Sequence, residues 1–140
     1  MIKLFYTKVG NMEYNIEEEY CKIIQSKLVT QEFEAALDNA EKLVKYAPNC
    51  ARGYYYQGLC YYALNDFESS MNNYEKCIEL DHSFAKAYYN LGIVIYYLNK
   101  IKDAKNYIEY AYKLFKTKGD KEACAKCIES LEFIQEEHGL

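Results

Sequence analysis

Residues 51–84 read ARGYYYQGLCYYALNDFESSMNNYEKCIELDHSF, and residues 85–118 read AKAYYNLGIVIYYLNKIKDAKNYIEYAYKLFKTK. Laid over one another without a gap, they put Gly58 on Gly92, Leu64 on Leu98 and Leu80 on Leu114, a period of 34 residues. One further step back brings residues 17–50 into line. Tyr20, Tyr54 and Tyr88 then correspond, as do Phe33, Phe67 and Ile101, and the small residues Ala36, Ser70 and Ala104. A unit of this length recurring along a chain marks an architecture whose units bury their apolar faces by stacking on one another.

Each unit divides into two helical patterns. In residues 51–84, Tyr54, Gln57, Gly58, Tyr61 and Leu64 step by three and four, and so do Ser70, Tyr74, Cys77 and Ile78. Asn65-Asp66 reads as the turn between them, with Asp66 an N-cap. Asn49 and Ser83 are the expected caps of the helices that open the second and third units. Gly58 and Gly92 fall where two backbones must approach closely, and Ala36, Ser70 and Ala104 supply small volume on the facing helix.

Composition agrees with such a chain. At 140 residues it forms one domain, and 51% hydrophobic with 27% charged residues excludes intrinsic disorder. One proline and six glycines are too few turn-formers for the many tight turns of a sandwich or barrel. Net charge is -4 and Arg52 is the only arginine, so the basic stripe of a nucleic-acid binder is missing. The longest apolar stretch, residues 93–98, is too short to span a bilayer. Lysines interrupt the apolar residues 1–9 and no small-residue cleavage site follows, which argues against a signal peptide. The six cysteines, Cys21, Cys50, Cys60, Cys77, Cys124 and Cys127, are therefore expected as reduced thiols in a cytoplasmic protein.

The runs Tyr54…Gly58…Tyr61…Asp66-Phe67…Ser70…Tyr74…Cys77 and Tyr88…Gly92…Ile95…Ile101…Ala104…Ile108…Ala111 resemble the tetratricopeptide repeat (TPR) pattern. The resemblance covers residues 17–118 and departs in places. Ile24 and Lys27 replace a glycine and a tyrosine in the first unit, as an end repeat facing solvent would permit. His82 stands where Pro48 shows the usual proline, and Ser70 replaces an alanine. It implies an all-α fold, a right-handed superhelical solenoid of antiparallel helix pairs. Residues 1–15 form a leader, 16–118 hold three units (17–50, 51–84 and 85–118), and 119–140 form a C-terminal capping helix. Past residue 118 the strict frame would bury Glu122, Ala125, Lys126 and Glu129. Two extra residues in the Lys118-Gly119-Asp120 connection restore it and give the packing positions to Cys124, Cys127, Ile128 and Leu131. A longer third connection and a final helix over residues 121–137 follow, with Glu129, Glu132, Glu136 and Glu137 keeping its outer face polar.

The family's usual working surface is the concave face lined by the first helix of each unit. The resemblance places Lys22 and Gln25 there from the first unit, and Arg52, Tyr55, Tyr56, Leu59 and Tyr62 from the second. Lys86, Tyr89, Asn90, Ile93, Tyr96 and Tyr97 come from the third. Six tyrosines on one face are rigid amphipathic contacts suited to an extended peptide or a helix. Tyr55, Tyr62, Tyr89 and Tyr96 stand in slots where tyrosine also packs structurally, so Tyr56 and Tyr97 are the sharper contact candidates. Many TPR domains hold a chaperone's C-terminal carboxylate with two lysines, two asparagines and an arginine. The corresponding slots are Cys21, Gln25, Tyr56, Lys86 and Asn90, of which only Lys86 matches, so a carboxylate clamp is disfavoured.

Other features read as structural. Cys124-Ala125-Lys126-Cys127 has no second pair at zinc-finger spacing, so no metal site is expected. Neither His82 nor His138 has a nucleophile and an acid in an evident triad, so no catalytic residue, enzyme activity or cofactor is expected. Asn15 and Glu18 make a capping box, and Glu17, Glu18 and Glu19 suit the helix dipole. The apolar residues Ile2, Leu4, Phe5, Tyr6 and Val9 are too many for a free tail. They fold back on the first unit, occupy a neighbouring copy's groove, or stay unfolded. The expected function is a protein-interaction scaffold that binds a partner's peptide or helix. The alternatives are self-assembly through the N-terminal segment and a small secretion chaperone, the latter on size and repeat number alone.

Overall fold

Alternating core-facing residues and short connections build seven helices in this computed structural model, which describes residues 6–9 and 12–140, with side chains from Asn15 onward. They are α1 (Ile16–Val29), α2 (Phe33–Tyr46), α3 (Ala51–Ala63), α4 (Phe67–Leu80), α5 (Ala85–Tyr97), α6 (Ile101–Lys118) and α7 (Lys121–His138). Each helix packs mainly on its neighbours in sequence, and α1 also touches α3. The result is an all-α solenoid. A feature outside the expectation precedes it: β1 (Tyr6–Val9) pairs antiparallel with β2 (Met12–Asn15), Tyr6 opposite Asn15 and Val9 opposite Met12. The roles considered for residues 1–12 fall largely outside the described residues. No helix among the described residues is long and apolar enough to cross a membrane.

Local chemistry explains most boundaries. Asn15 ends β2 in extended backbone and caps α1, its Oδ1 accepting from Glu18 N at 3.0 Å. The reciprocal arm of the capping box is diverted, because the Glu18 carboxylate pairs with Arg52 instead. Asp66 caps α4 through Ser69 N, and Asp120 caps α7 through Ala123 N. The expected caps Asn49 and Ser83 are displaced: Cys50 and Phe84 hold those positions without a side-chain acceptor. Ser83 is captured by Asp81, whose Oδ1 accepts from both its N–H and its hydroxyl. The turn inside each unit puts one residue in the left-handed region: Gln31, Asn65 and Asn99, with φ of 60°, 61° and 65°.

The close approaches occur where the spacing puts them. A Cβ on Gly58 would stand 2.5 Å from the Tyr74 ring, and one on Gly92 would stand 2.7 Å from Ile108 Cγ1. Ala36, Ser70 and Ala104 are fully buried. Ser70 satisfies its hydroxyl by donating to the Gly58 carbonyl at 2.7 Å, so the departure from alanine costs no unpaired polar group.

Three expectations are corrected. Ile24 does not face solvent; it is fully buried in the first unit's core. The two extra residues before α7 do not lengthen the connection: α6 has 18 residues against 14 in α4, and the connection after it is only Gly119-Asp120. Gly119 at φ 73° ends α6 in a left-handed cap and makes that short turn feasible. Ile128 is 43% exposed, whereas Cys127 and Ile134 are buried. No further helix among the described residues packs on the outer face of α7, so the slot equivalent to Gly92 stays open.

Candidate partner-binding groove

The first helices of the units, α3 and α5, expose one side along which α7 is laid as a further wall. Three cavities run along this side. One of about 380 Å³ lies among Tyr55, Lys86, Tyr89, Asn90 and Phe115, and is closed by Asp120, Glu122, Ala123 and Lys126. A second, about 240 Å³, is lined by Leu59, Tyr62, Tyr74, Tyr89, Asn90, Ile93 and Lys126. The third, about 250 Å³, lies among Ile93, Tyr96, Tyr97, Glu129, Ser130, Phe133 and Ile134. Tyr89 and Asn90 line the first two, and Ile93 the last two, so the three form one continuous groove.

Inside it the polar groups are partly engaged. Asn90 Nδ2 donates to the Tyr55 hydroxyl at 3.4 Å, and the Tyr89 hydroxyl meets Ser130 Oγ at 2.9 Å. Burial pushes the Tyr55 hydroxyl up to about 12, so it stays a neutral donor throughout the physiological range. Lys126 Nζ stands 5.6 Å over the Tyr89 ring, a cation–π contact. Lys86 is exposed and has no carboxylate within ion-pair distance among the described residues. At the far end Tyr97, 56% exposed, stacks on Phe67 at 5.4 Å and 11° and lies 6.2 Å from Tyr62. Tyr96 bonds to His138 Nε2 at 3.0 Å. The arrangement offers aromatic faces, hydroxyls, an amide and two lysines, which can hold a peptide's side chains and backbone.

The structure gathers Tyr55, Leu59, Tyr62, Lys86, Tyr89, Asn90, Ile93, Tyr96 and Tyr97 along this groove. Four expected contacts lie elsewhere. Lys22 is exposed beside Glu19, 3.7 Å away. Gln25 is spent on the Tyr56 hydroxyl, to which its Nε2 donates at 2.8 Å. Arg52 reaches Glu17 and Glu18, each at 3.1 Å, and so turns its charge onto α1. Tyr56, one of the two sharper candidates, is only 7% exposed and belongs to the core formed by α1, α2 and α3. Its ring is packed, not offered.

Sequence reasoning missed the α7 wall because it treated that helix purely as a cap. A spacing of 36 residues carries Lys86 to Glu122, Asn90 to Lys126, Ile93 to Glu129 and Tyr97 to Phe133. The two-residue shift already inferred for the packing positions therefore locates the groove positions as well. Among the described residues no group of His, Cys, Asp and Glu could hold a metal ion, and the six thiols are free.

Residues 58–99, which run from within α3 to just past α5, match the sequence model of the TPR repeat family. The fold is that of a TPR protein. Solved structures, a TPR domain among them, superpose along most of the chain. The TPR2B domain of yeast Sti1, in complex with pHsp70, aligns with a TM-score of 0.82 at 17% identity, covering 87% of this chain and 98% of that one. The type III secretion translocator chaperone SycD of Yersinia enterocolitica aligns with a TM-score of 0.82 at 15% identity, over 89% and 87% of the two chains. SycD in complex with a peptide of the translocator YopD gives 0.79 at 16%, over 86% and 92%. At these identities the likeness establishes the fold. No curated protein matches the chain in sequence.

Proposed function

We propose that this TPR chain is a non-catalytic scaffold that binds an extended segment or helix of a protein partner along the groove between α3, α5 and α7. The observation that carries this reading is the continuity of three cavities with open aromatic rings and the unpaired Lys86 along a wall of helices. Such a surface needs little reordering on binding, which lowers the entropic cost of association. The TPR2B domain of Sti1 was solved in complex with pHsp70, and one SycD structure in complex with a peptide of the translocator YopD, which supports a peptide-binding use of the fold.

The test is a photo-crosslinking residue at position 97, with captured segments identified by mass. A single protein segment crosslinked by the chain, and lost when Tyr62→Ala and Ile93→Asp are added in the same folded background, supports the groove. Crosslinks unaffected by those changes overturn it. A second reading, a chaperone for a secreted protein, takes support from the superposition on nearly the whole of SycD. Under that reading the crosslinked segment belongs to an exported protein.

A further inference from the structure

The end of the groove between α5 and α7 differs in chemistry from the rest. Its cavity of about 250 Å³ is lined by the rings of Tyr96, Tyr97 and Phe133, by Ile93 and Ile134, and by Glu129 and Ser130. Tyr96 lies 5.9 Å from Tyr97 at 79° and 6.0 Å from Phe133 at 64°. The rings meet edge to face rather than as a flat stack, and the cavity lies among them. Phe67, stacked on Tyr97, fixes that ring's orientation. Glu129 is exposed and has no cationic partner within ion-pair distance among the described residues. The nearby Lys126, a turn earlier on α7, lies over the Tyr89 ring instead.

We infer that this cavity receives a cationic side chain, an arginine or lysine, from the bound partner segment. Aromatic faces carry negative quadrupole potential and attract a cation, and an unpaired carboxylate beside them adds a charge-assisted hydrogen bond. The long aliphatic stem of such a side chain suits Ile93 and Ile134, while its head reaches Glu129. A purely apolar side chain would fill the same hollow but leave the Glu129 carboxylate without a charged partner, so charge complementarity favours the cation. The inference deepens the groove reading and rests on it for the partner, but the pocket's preference can be measured without any partner.

The experiment titrates the full chain, labelled for amide NMR, with N-acetyl-arginine amide, N-acetyl-citrulline amide and N-acetyl-norleucine amide. The second keeps the shape of the first without its charge, and the third keeps only the apolar stem. The expected result is saturable shifts at residues 96–97 and 129–134, with the arginine compound bound about fivefold more tightly than citrulline. Glu129→Gln, at an exposed position, removes most of that preference, and Phe133→Leu weakens the arginine compound. Equal or tighter binding of norleucine assigns the pocket to an apolar anchor and overturns the inference. So does an arginine preference that Glu129→Gln leaves intact, or no saturable binding. If the arginine compound fails while a partner crosslinks at position 97, the groove stands and its cationic specificity falls. If the compound binds with the stated preference but no partner crosslinks, the pocket stands and the wider groove reading falls.

Discussion

Gly58 and Tyr74 fill one space between α3 and α4: a Cβ on the glycine would stand 2.5 Å from Cε1 of a ring that is 1% exposed. Gly92 and Ile108 repeat the arrangement between α5 and α6. In the first unit the equivalent positions are Ile24 and Ala40, both fully buried, so the large residue has moved to the other helix. The repeat preserves the filled volume rather than the residue at either slot, as close-packed interiors require.

Gly58→Ala should therefore destabilise the chain by about 1 kcal/mol net. The forced shift of a buried ring costs about 1–3 kcal/mol, of which the gain in helix propensity offsets roughly 1. Combined with Tyr74→Leu, the loss should be smaller than the sum of the two single changes by about 1 kcal/mol. Urea unfolding of the four chains measures both quantities, and strict additivity would mean the two residues do not share the space.

Ala104→Leu is expected to overpack the α5–α6 pair and cost about 1–3 kcal/mol, since Ala104 is fully buried. Lys102→Ala, at an exposed position on the same helix, should stay within about 0.5 kcal/mol. Similar small effects at both sites would contradict the register of α6.

The two tyrosines first singled out should separate. Tyr56→Glu puts a carboxylate into the core beside Cys21 and Ile24, and should cost about 3 kcal/mol or more. Tyr97→Glu loses stacking on Phe67 at an exposed site and should cost about 1 kcal/mol. Circular dichroism melts of the single variants distinguish them; equal losses would place Tyr97 in the core as well.

Gln31 adopts φ of 60° at the turn where the other two units have Asn65 and Asn99. Asparagine tolerates the left-handed region better than glutamine because its short side chain bonds locally. Gln31→Asn should raise stability by roughly 0.5 kcal/mol, read as an upward shift of the urea midpoint with an unchanged slope.

Burial pushes the thiols of Cys60 and Cys77 up to about 12. Burial, followed by the hydrogen bond to Glu17, pushes Cys50 up to about 11, and burial, followed by the neighbouring Cys124, does the same for Cys127. The unfolded chain releases these protons from about pH 8.5, whereas the folded chain retains them, so stability falls as pH rises from there through 11 to 12. Urea midpoints at pH 7 and pH 10 should show the decline. At pH 8, Ellman's reagent should reach Cys124 first and Cys50 slowly, with Cys21, Cys60, Cys77 and Cys127 reacting only on unfolding. Prompt reaction of all six would contradict the burial.

Much of this organisation is legible in one dimension because steric demands repeat with the helix pair. The turn at Asn65-Asp66, the small slots at Ala36, Ser70 and Ala104, and the near-contacts at Gly58 and Gly92 follow from residue type and spacing. The cap of α5 is not legible in this way, because Ser83 has a competing acceptor two residues away in Asp81. The hairpin before α1 left no signal either, since four-residue strands of mixed polarity carry little periodicity.

By itself, then, the sequence determined the period, the pairing of helices within each unit and the face that carries the tyrosines. These depend on contacts between residues a few turns apart, and helical geometry specifies those contacts. Only the tertiary structure decided how deep each tyrosine lies and which helices wall the groove. Tyr56 and Tyr97 were read onto the same face, yet α1 and α2 close over the first, while the second lies at the rim near Phe133. Depth depends on what the neighbouring units place above a residue, and the period that positions a side chain on its helix carries no record of that.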